Sequence, residues 1–228
     1  IWIDEKRVFS NYFIINNIKK TVNFNNTNLY FNNIKIISNG SIFFISHLGE
    51  QEYDGFFNLK NLKDNKISII NIINKDDYFA SVLGSEMGDS FSDEALKACA
   101  IAIRTYFYKR KEKYKNTEFE INNSDGIDMV YRGKEYATEK MYKIMKDTKN
   151  LYLKQKDGKL SLPLFHSTSG GIILKDVVLN SSFESVIENP ILKYDRDENL
   201  EIQSKESPYY KFCVNYTNEQ IINYLKSM

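Results

Sequence analysis

Residues 67–115 read ISIINIINKDDYFASVLGSEMGDSFSDEALKACAIAIRTYFYKRKEKYK, and the change of texture inside this stretch decides the fold class. Residues 67–73 are mostly isoleucine, interrupted only by Ser68 and Asn71, which predicts a largely buried strand. Asp76 and Asp77 then open a short helix over residues 78–87, and Gly88 can stop it, since glycine has no Cβ to clash in a left-handed helix end. Ser92 is an N-cap for a longer helix, with Asp93 and Glu94 in the first turn, where carboxylates meet the positive end of the helix dipole. Along that helix Leu96, Cys99, Ile103 and Tyr106 or Phe107 fall on one face. Its cationic end, residues 109–115, suits a solvated helix C-terminus rather than a nucleic-acid patch.

On the N-terminal side, short apolar runs at residues 13–15, 29–31 and 42–45 are broken by Asn and Gly, a pattern of strands and turns. On the C-terminal side, residues 122–133 read as a loop and short strand. Residues 138–150 read as a third helix with Met141, Ile144 and Met145 inward. Residues 151–156 and 159–165 flank Asp157-Gly158, a type I′ hairpin signal. A polar segment, His166-Ser167-Thr168-Ser169-Gly170-Gly171, follows, and residues 217–228 form a short amphipathic helix capped by Thr217. The fold class is therefore α+β: a β-rich N-terminal region, residues 1–66, then a mixed helix and sheet region, residues 67–228.

Composition narrows the function. With 42% hydrophobic and 14% aromatic residues the chain is no disordered segment. Its 31 Lys+Arg against 30 Asp+Glu lack the basic excess of a non-specific nucleic-acid binder, so no nucleic-acid partner is expected. Cys99 and Cys213 are too few for a disulfide framework and read as two isolated thiols. The chain begins Ile1-Trp2 rather than with Met, which reads as a trimmed start whose leader or membrane anchor has been removed.

Two residues stand out chemically. Glu86 sits in the last turn of a short helix among apolar and small residues, where partial desolvation raises a carboxyl's proton affinity and suits it to general acid work. Arg104 lies in an apolar helical stretch and needs a carboxylate or another hydrogen-bonding partner. A structural Glu86–Arg104 ion pair is an equally open reading of the spacing.

Three ordered motifs carry a resemblance: LGSEM (83–87), EALKACAIAIRTY (94–106) and FHSTSGG (165–171). Together they resemble the stage II sporulation protein D (SpoIID/LytB) family, which reads approximately SEMP, EALKAQAVAARTYA and FHSTSGG. Weaker echoes at Tyr53-Asp54-Gly55, Val130-Tyr131-Arg132-Gly133 and Ser207-Pro208-Tyr209 extend it over about residues 53–225. The resemblance implies a peptidoglycan lytic transglycosylase with a groove in the region 67–228, acting on bacterial cell-wall glycan strands. It maps the catalytic acid/base onto Glu86 and a supporting catalytic residue onto Arg104. Ser85, Tyr131, His166, Ser167, Thr168, Ser169, Gly170 and Gly171 are implied substrate contacts, the hydroxyls and glycines of the last segment forming a sugar-binding loop beside Glu86. One carboxyl suffices, because the muramic acid C6 hydroxyl is itself the nucleophile and leaves a 1,6-anhydro end.

The departures also inform. Some relatives bind zinc through Cys and His near a CQVY segment; here Asp128 stands in place of Cys, so no metal and no cofactor is expected, and Asp125 and Asp128 read as turn residues. Gly88 replaces the usual proline after Met87, and Cys99 replaces the usual glutamine. The glycine- and histidine-rich GHGVGMSQ-type motif that commonly closes the family is not reached by Met228, which favours the alternative of a non-catalytic glycan-binding amidase enhancer or a sporulation or division scaffold. The implied partners are glycan strands, a cell-wall amidase and a membrane-anchored protein, and the implied location is extracytoplasmic.

Overall fold

The computed structural model describes residues 2–4, 6, 7, 14–16, 19, 21–24, 27–38, 40–46, 49–64, 66–123, 127–163, 172–175, 191–194, 205, 207, 217 and 220. The chain forms two compact units, residues 1–164 and residues 165–228. The first begins with ten strands: β1 (Trp2–Ile3), β2 (Lys6–Arg7), β3 (Ile14–Asn16), β4 (Thr21–Phe24), β5 (Thr27–Tyr30), β6 (Asn33–Ile36), β7 (Ile42–Ser46), β8 (Gly49–Tyr53), β9 (Phe56–Asn61) and β10 (Ile67–Ile72). Three helices follow: α1 (Lys75–Met87), α2 (Asp93–Lys111) and α3 (Glu139–Asp147). The second unit contains the antiparallel pair β11 (Ile172–Lys175) and β12 (Ile191–Tyr194). The architecture is α+β with a β-rich N-terminal region, as the sequence predicts.

The main sheet is antiparallel, in the order β10-β9-β6-β1-β2. Alternation along β6 and β9 turns Ile34, Ile36, Phe57 and Leu59 inward, and with Ile3, Val22, Phe31 and Ile42 they make one core. β10 differs from the expected buried strand. It is the sheet edge, with Ile69 54% exposed, because it has a hydrogen-bonded neighbour on one side only. An apolar run without alternation does not say which face is covered. The step in texture after residue 66 falls in the turn between β9 and β10, inside the main sheet and inside the first unit.

A second core is helical. Tyr78, Phe79, Val82 and Leu83 of α1 meet Leu96, Ala100, Ile103 and Phe107 of α2 and Met141, Ile144 and Met145 of α3, joined by Met129 and Tyr131. Full burial of each aliphatic side chain contributes roughly 1.5–3 kcal/mol. The helix boundaries follow local signals: Asn74, Ser92 and Thr138 accept N-terminal amides, and Gly88, at φ 73°, closes α1. Tyr53 packs against both cores, its ring centroid 5.6 Å from Phe57 and 5.6 Å from Tyr131.

The Asp157-Gly158 turn also differs from expectation. Only Gly158 takes a positive φ, 84°, whereas a type I′ turn needs two such residues. Gly158 N–H donates to the Gln155 carbonyl and Gln155 N–H to the Lys159 carbonyl, the pattern of a three-residue loop closed by a glycine bulge. At the far end, Thr217 and Gln220 exchange hydrogen bonds, Gln220 N–H to Thr217 Oγ1 at 3.2 Å and Thr217 N–H to Gln220 Oε1 at 2.8 Å. This reciprocal capping box agrees with the cap expected of Thr217.

Candidate active site

Glu86 lies in the last turn of α1, with its side chain open to water. Two serines, one turn apart on that helix, hold the segment 130–133 along it. Ser81 Oγ donates to the Gly133 carbonyl at 2.6 Å, and Ser85 Oγ lies 3.0 Å from the Val82 carbonyl and 3.4 Å from that of Val130. Two glycines permit this close approach. A Cβ on Gly84 would stand 1.9 Å from the Tyr136 carbonyl oxygen, and one on Gly133, at φ 111°, would stand 2.6 Å from that of Glu52. Between the serine anchors the chain alternates, Tyr131 turning inward and Arg132 outward.

Partial burial pushes the Glu86 carboxyl above its ordinary proton affinity, and the Arg132 guanidinium pulls it part of the way back. Because one side of the carboxyl keeps its water, this is a partial desolvation, unlike that of a core carboxylate. Across from it, Cys99 of α2 has its thiol pushed up to about 11, first by burial and then by the Glu86 charge. A thiol in that state is no nucleophile at neutral pH. The arrangement offers one proton-holding carboxyl under the influence of the Arg132 charge and of its own partial burial.

Arg104 is placed differently from the expected partner of a carboxylate or substrate. Its side chain is buried and donates to the carbonyl oxygens of Met145 at 3.0 Å and Thr148 at 2.8 Å, and to Thr148 Oγ1 at 3.2 Å. These acceptors stand at the C-terminal end of α3, where the helix dipole favours a cation. Arg104 therefore fastens α2 to α3. Tyr131, an expected substrate contact, is 5% exposed and belongs to the helical core, packed against Tyr53 and Tyr78. Its neighbour Arg132, which sequence reasoning missed, is exposed, and its charge acts on the Glu86 carboxyl. The inward–outward alternation around Tyr131 is the signal that was available. Ser85 faces backbone carbonyls of α1 and the 130–133 segment. His166, Ser167, Thr168, Ser169, Gly170 and Gly171 lie outside the described residues, as do His47, Asp125 and Cys213.

Asp128 is more than a turn residue. Its side chain, 0% exposed, accepts from Arg110 Nε at 2.6 Å, Tyr114 OH at 2.6 Å, Tyr106 OH at 3.0 Å and Asn122 N–H at 3.1 Å. Both oxygens are thus occupied by cationic, phenolic and amide donors, and a carboxylate held in this way is not arranged as a metal ligand. The donor set does not fit zinc.

Residues 63–154, which contain α1, α2, α3, Glu86 and Arg132, match the family model of SpoIID, the stage II sporulation protein. This part of the chain, less than half of it, is similar to the SpoIID family. No curated protein and no solved structure matches the chain.

Proposed function

We propose that this SpoIID-like region is a peptidoglycan lytic transglycosylase with Glu86 as its general acid/base. The observation that carries the reading is the carboxyl itself: solvent-reachable, fixed at a capped helix end, and raised in proton affinity by partial burial. In the first half of the reaction the Glu86 proton passes to the glycosidic oxygen as the C1–O bond breaks. In the second half the Glu86 carboxylate takes the proton of the muramic acid C6 hydroxyl, whose oxygen bonds to C1. The 1,6-anhydro ring closes, and Glu86 is protonated again for the next cycle. Neither water nor a second carboxylate enters the balance. The substrate lies outside the cytoplasmic membrane, so the reading carries an extracytoplasmic location with it.

The test is incubation of the protein with purified peptidoglycan and mass spectrometry of the released ends. The expected products carry 1,6-anhydro-muramic acid, and Glu86→Gln lowers their rate of formation about 10²- to 10⁴-fold while glycan binding persists. Binding without anhydro ends would identify a non-catalytic glycan-binding module, and no binding at all a scaffold that contacts protein partners.

A further inference from the structure

We propose that the cavity at the C-terminal end of α2 is a second, non-catalytic site that binds the neutral pyranose rings of a glycan. Its volume is about 420 Å³, within the roughly 300–1,000 Å³ of small-molecule sites. Tyr108, Tyr114 and Phe119 give it aromatic walls, and Lys115, Glu118 and Glu120 line it with polar groups. The first turns of α1 lie against this end of α2, with the Phe79 ring 5.2 Å from that of Phe107 and 6.5 Å from that of Tyr108. Glu86 stands about 10 Å further along α1 than Phe79. The cavity is thus separate from the proposed catalytic carboxyl, and the inference goes beyond the transglycosylase reading without resting on it.

The walls are fixed before any ligand arrives. The Tyr114 ring lies 5.0 Å from the Phe119 ring, and its hydroxyl donates to Asp128 at 2.6 Å. Thr117 Oγ1 donates to the Phe119 carbonyl at 2.7 Å and Thr117 N–H to the Tyr114 carbonyl at 3.0 Å, closing the turn that brings the two rings together. Glu118 is tied to Lys60 of β9 at 2.7 Å, and Glu120 to Lys111 of α2. A segment anchored in this way has less conformational entropy to lose on binding.

The charges set the class of ligand. Each carboxylate on the lining is neutralised within the protein: Glu118 by Lys60, Glu120 by Lys111 and Glu112 by Lys109. A cationic ligand would have to displace a resident lysine. Lys115 is the lining cation that no carboxylate pairs among the described residues, and it lies just past the negative end of the α2 dipole, which offsets its charge. It therefore serves as a donor rather than as the seat of an anion. The aromatic walls suit the C–H face of a pyranose ring. Sugar hydroxyls need both donors and acceptors at the rim, and exposed carboxylates in weakly held ion pairs have lone pairs to give. The Tyr108 hydroxyl accepts from Lys75 at 3.2 Å and keeps its own proton to donate.

The experiment is hydrogen exchange of the full chain with and without the chitin tetramer, a neutral glycan, together with calorimetric binding. The tetramer should slow exchange across residues 112–120. Phe119→Leu keeps the apolar volume but removes the flat face. Glu118→Ala removes a rim acceptor from a side chain that is 61% exposed, so its fold is not in question. Each should weaken binding about five- to tenfold, with thermal unfolding of Glu118→Ala unchanged. Protection confined to the neighbourhood of Glu86, or protection of residues 112–120 that survives both variants, overturns the inference and leaves the transglycosylase reading standing. Protection of residues 112–120 by phenylacetate and not by the tetramer would assign the cavity to an organic anion held by Lys115 and overturn the saccharide class. No protection by the tetramer anywhere also overturns it, and the release of 1,6-anhydro ends then judges the transglycosylase reading separately.

Discussion

Arg104 grips Thr148 twice, Nη1 donating to its carbonyl at 2.8 Å and Nη2 to its Oγ1 at 3.2 Å, so that one side chain of α2 closes the C-terminal end of α3. The same guanidinium reaches the Met145 carbonyl, and burial lowers its proton affinity without bringing it near neutrality. Arg104, which the resemblance maps as a supporting catalytic residue, thus clamps α2 to the end of α3.

Arg104→Ala should accordingly cost about 2–4 kcal/mol of stability, because buried carbonyls lose charge-assisted donors and none replaces them. Arg104→Lys should recover less than half, since an ammonium cannot span the same acceptors. Urea unfolding of both variants checks this. A fully stable Arg104→Ala would show that the clamp contributes nothing.

Gly84→Ala sets two principles against each other. Helix propensity alone predicts a gain of about 1 kcal/mol for alanine inside α1. The new Cβ, however, would meet the Tyr136 carbonyl oxygen at 1.9 Å, so the crossing of α1 with the 3-10 helix Lys134–Tyr136 must open. The expected outcome is a loss of about 2–4 kcal/mol, read as a lowered Tm. A raised Tm would refute the close crossing.

Asp128 gives the fold a dependence on acid. Burial pushes its carboxyl up, but Tyr114, Arg110, the Asn122 amide and Tyr106 together outweigh that and hold it below the usual aspartate value. A carboxylate depressed in the folded state contributes stability that is full above its unfolded pKa, about 3.9, and is lost as pH falls through the folded value. Urea midpoints should therefore drop on acidification below about pH 4, and Asp128→Asn should flatten that drop while lowering stability at neutral pH. An unaltered acid limb in the variant would remove Asp128 as its source.

Glu86 should show the opposite displacement in activity. The acid form delivers the proton, so turnover falls as pH rises through the Glu86 pKa, which burial has moved above the ordinary glutamate value of about 4.3. Arg132→Gln removes the charge that opposes this rise, and the alkaline limb of the kcat/KM profile should move to higher pH. A limb that stays in place would mean that the Arg132 charge is screened from Glu86 by water.

What the sequence by itself determined was local. Ser92 and Gly88 declared the start of α2 and the end of α1 because a cap depends on a side chain and the few backbone groups beside it. The inward faces of α2 and α3 were legible from 3.6-residue periodicity, and the LGSEM and EALKACAIAIRTY motifs marked the segment that matches the SpoIID family model. Tertiary structure alone decided the rest, each time because the partners stand far apart in sequence. The end of α3 lies more than forty residues from Arg104, so no spacing rule could replace a carboxylate by the Met145 and Thr148 carbonyls. Whether Tyr131 or Arg132 is buried depended on which side of the 130–133 segment the core covers, and a one-residue shift exchanges the two. Asp128 was read as a turn residue because its donors on α2 approach only once the chain has folded back. Propensities and caps are properties of neighbours along the chain, whereas the partner of a buried polar group is set by the crossing of elements.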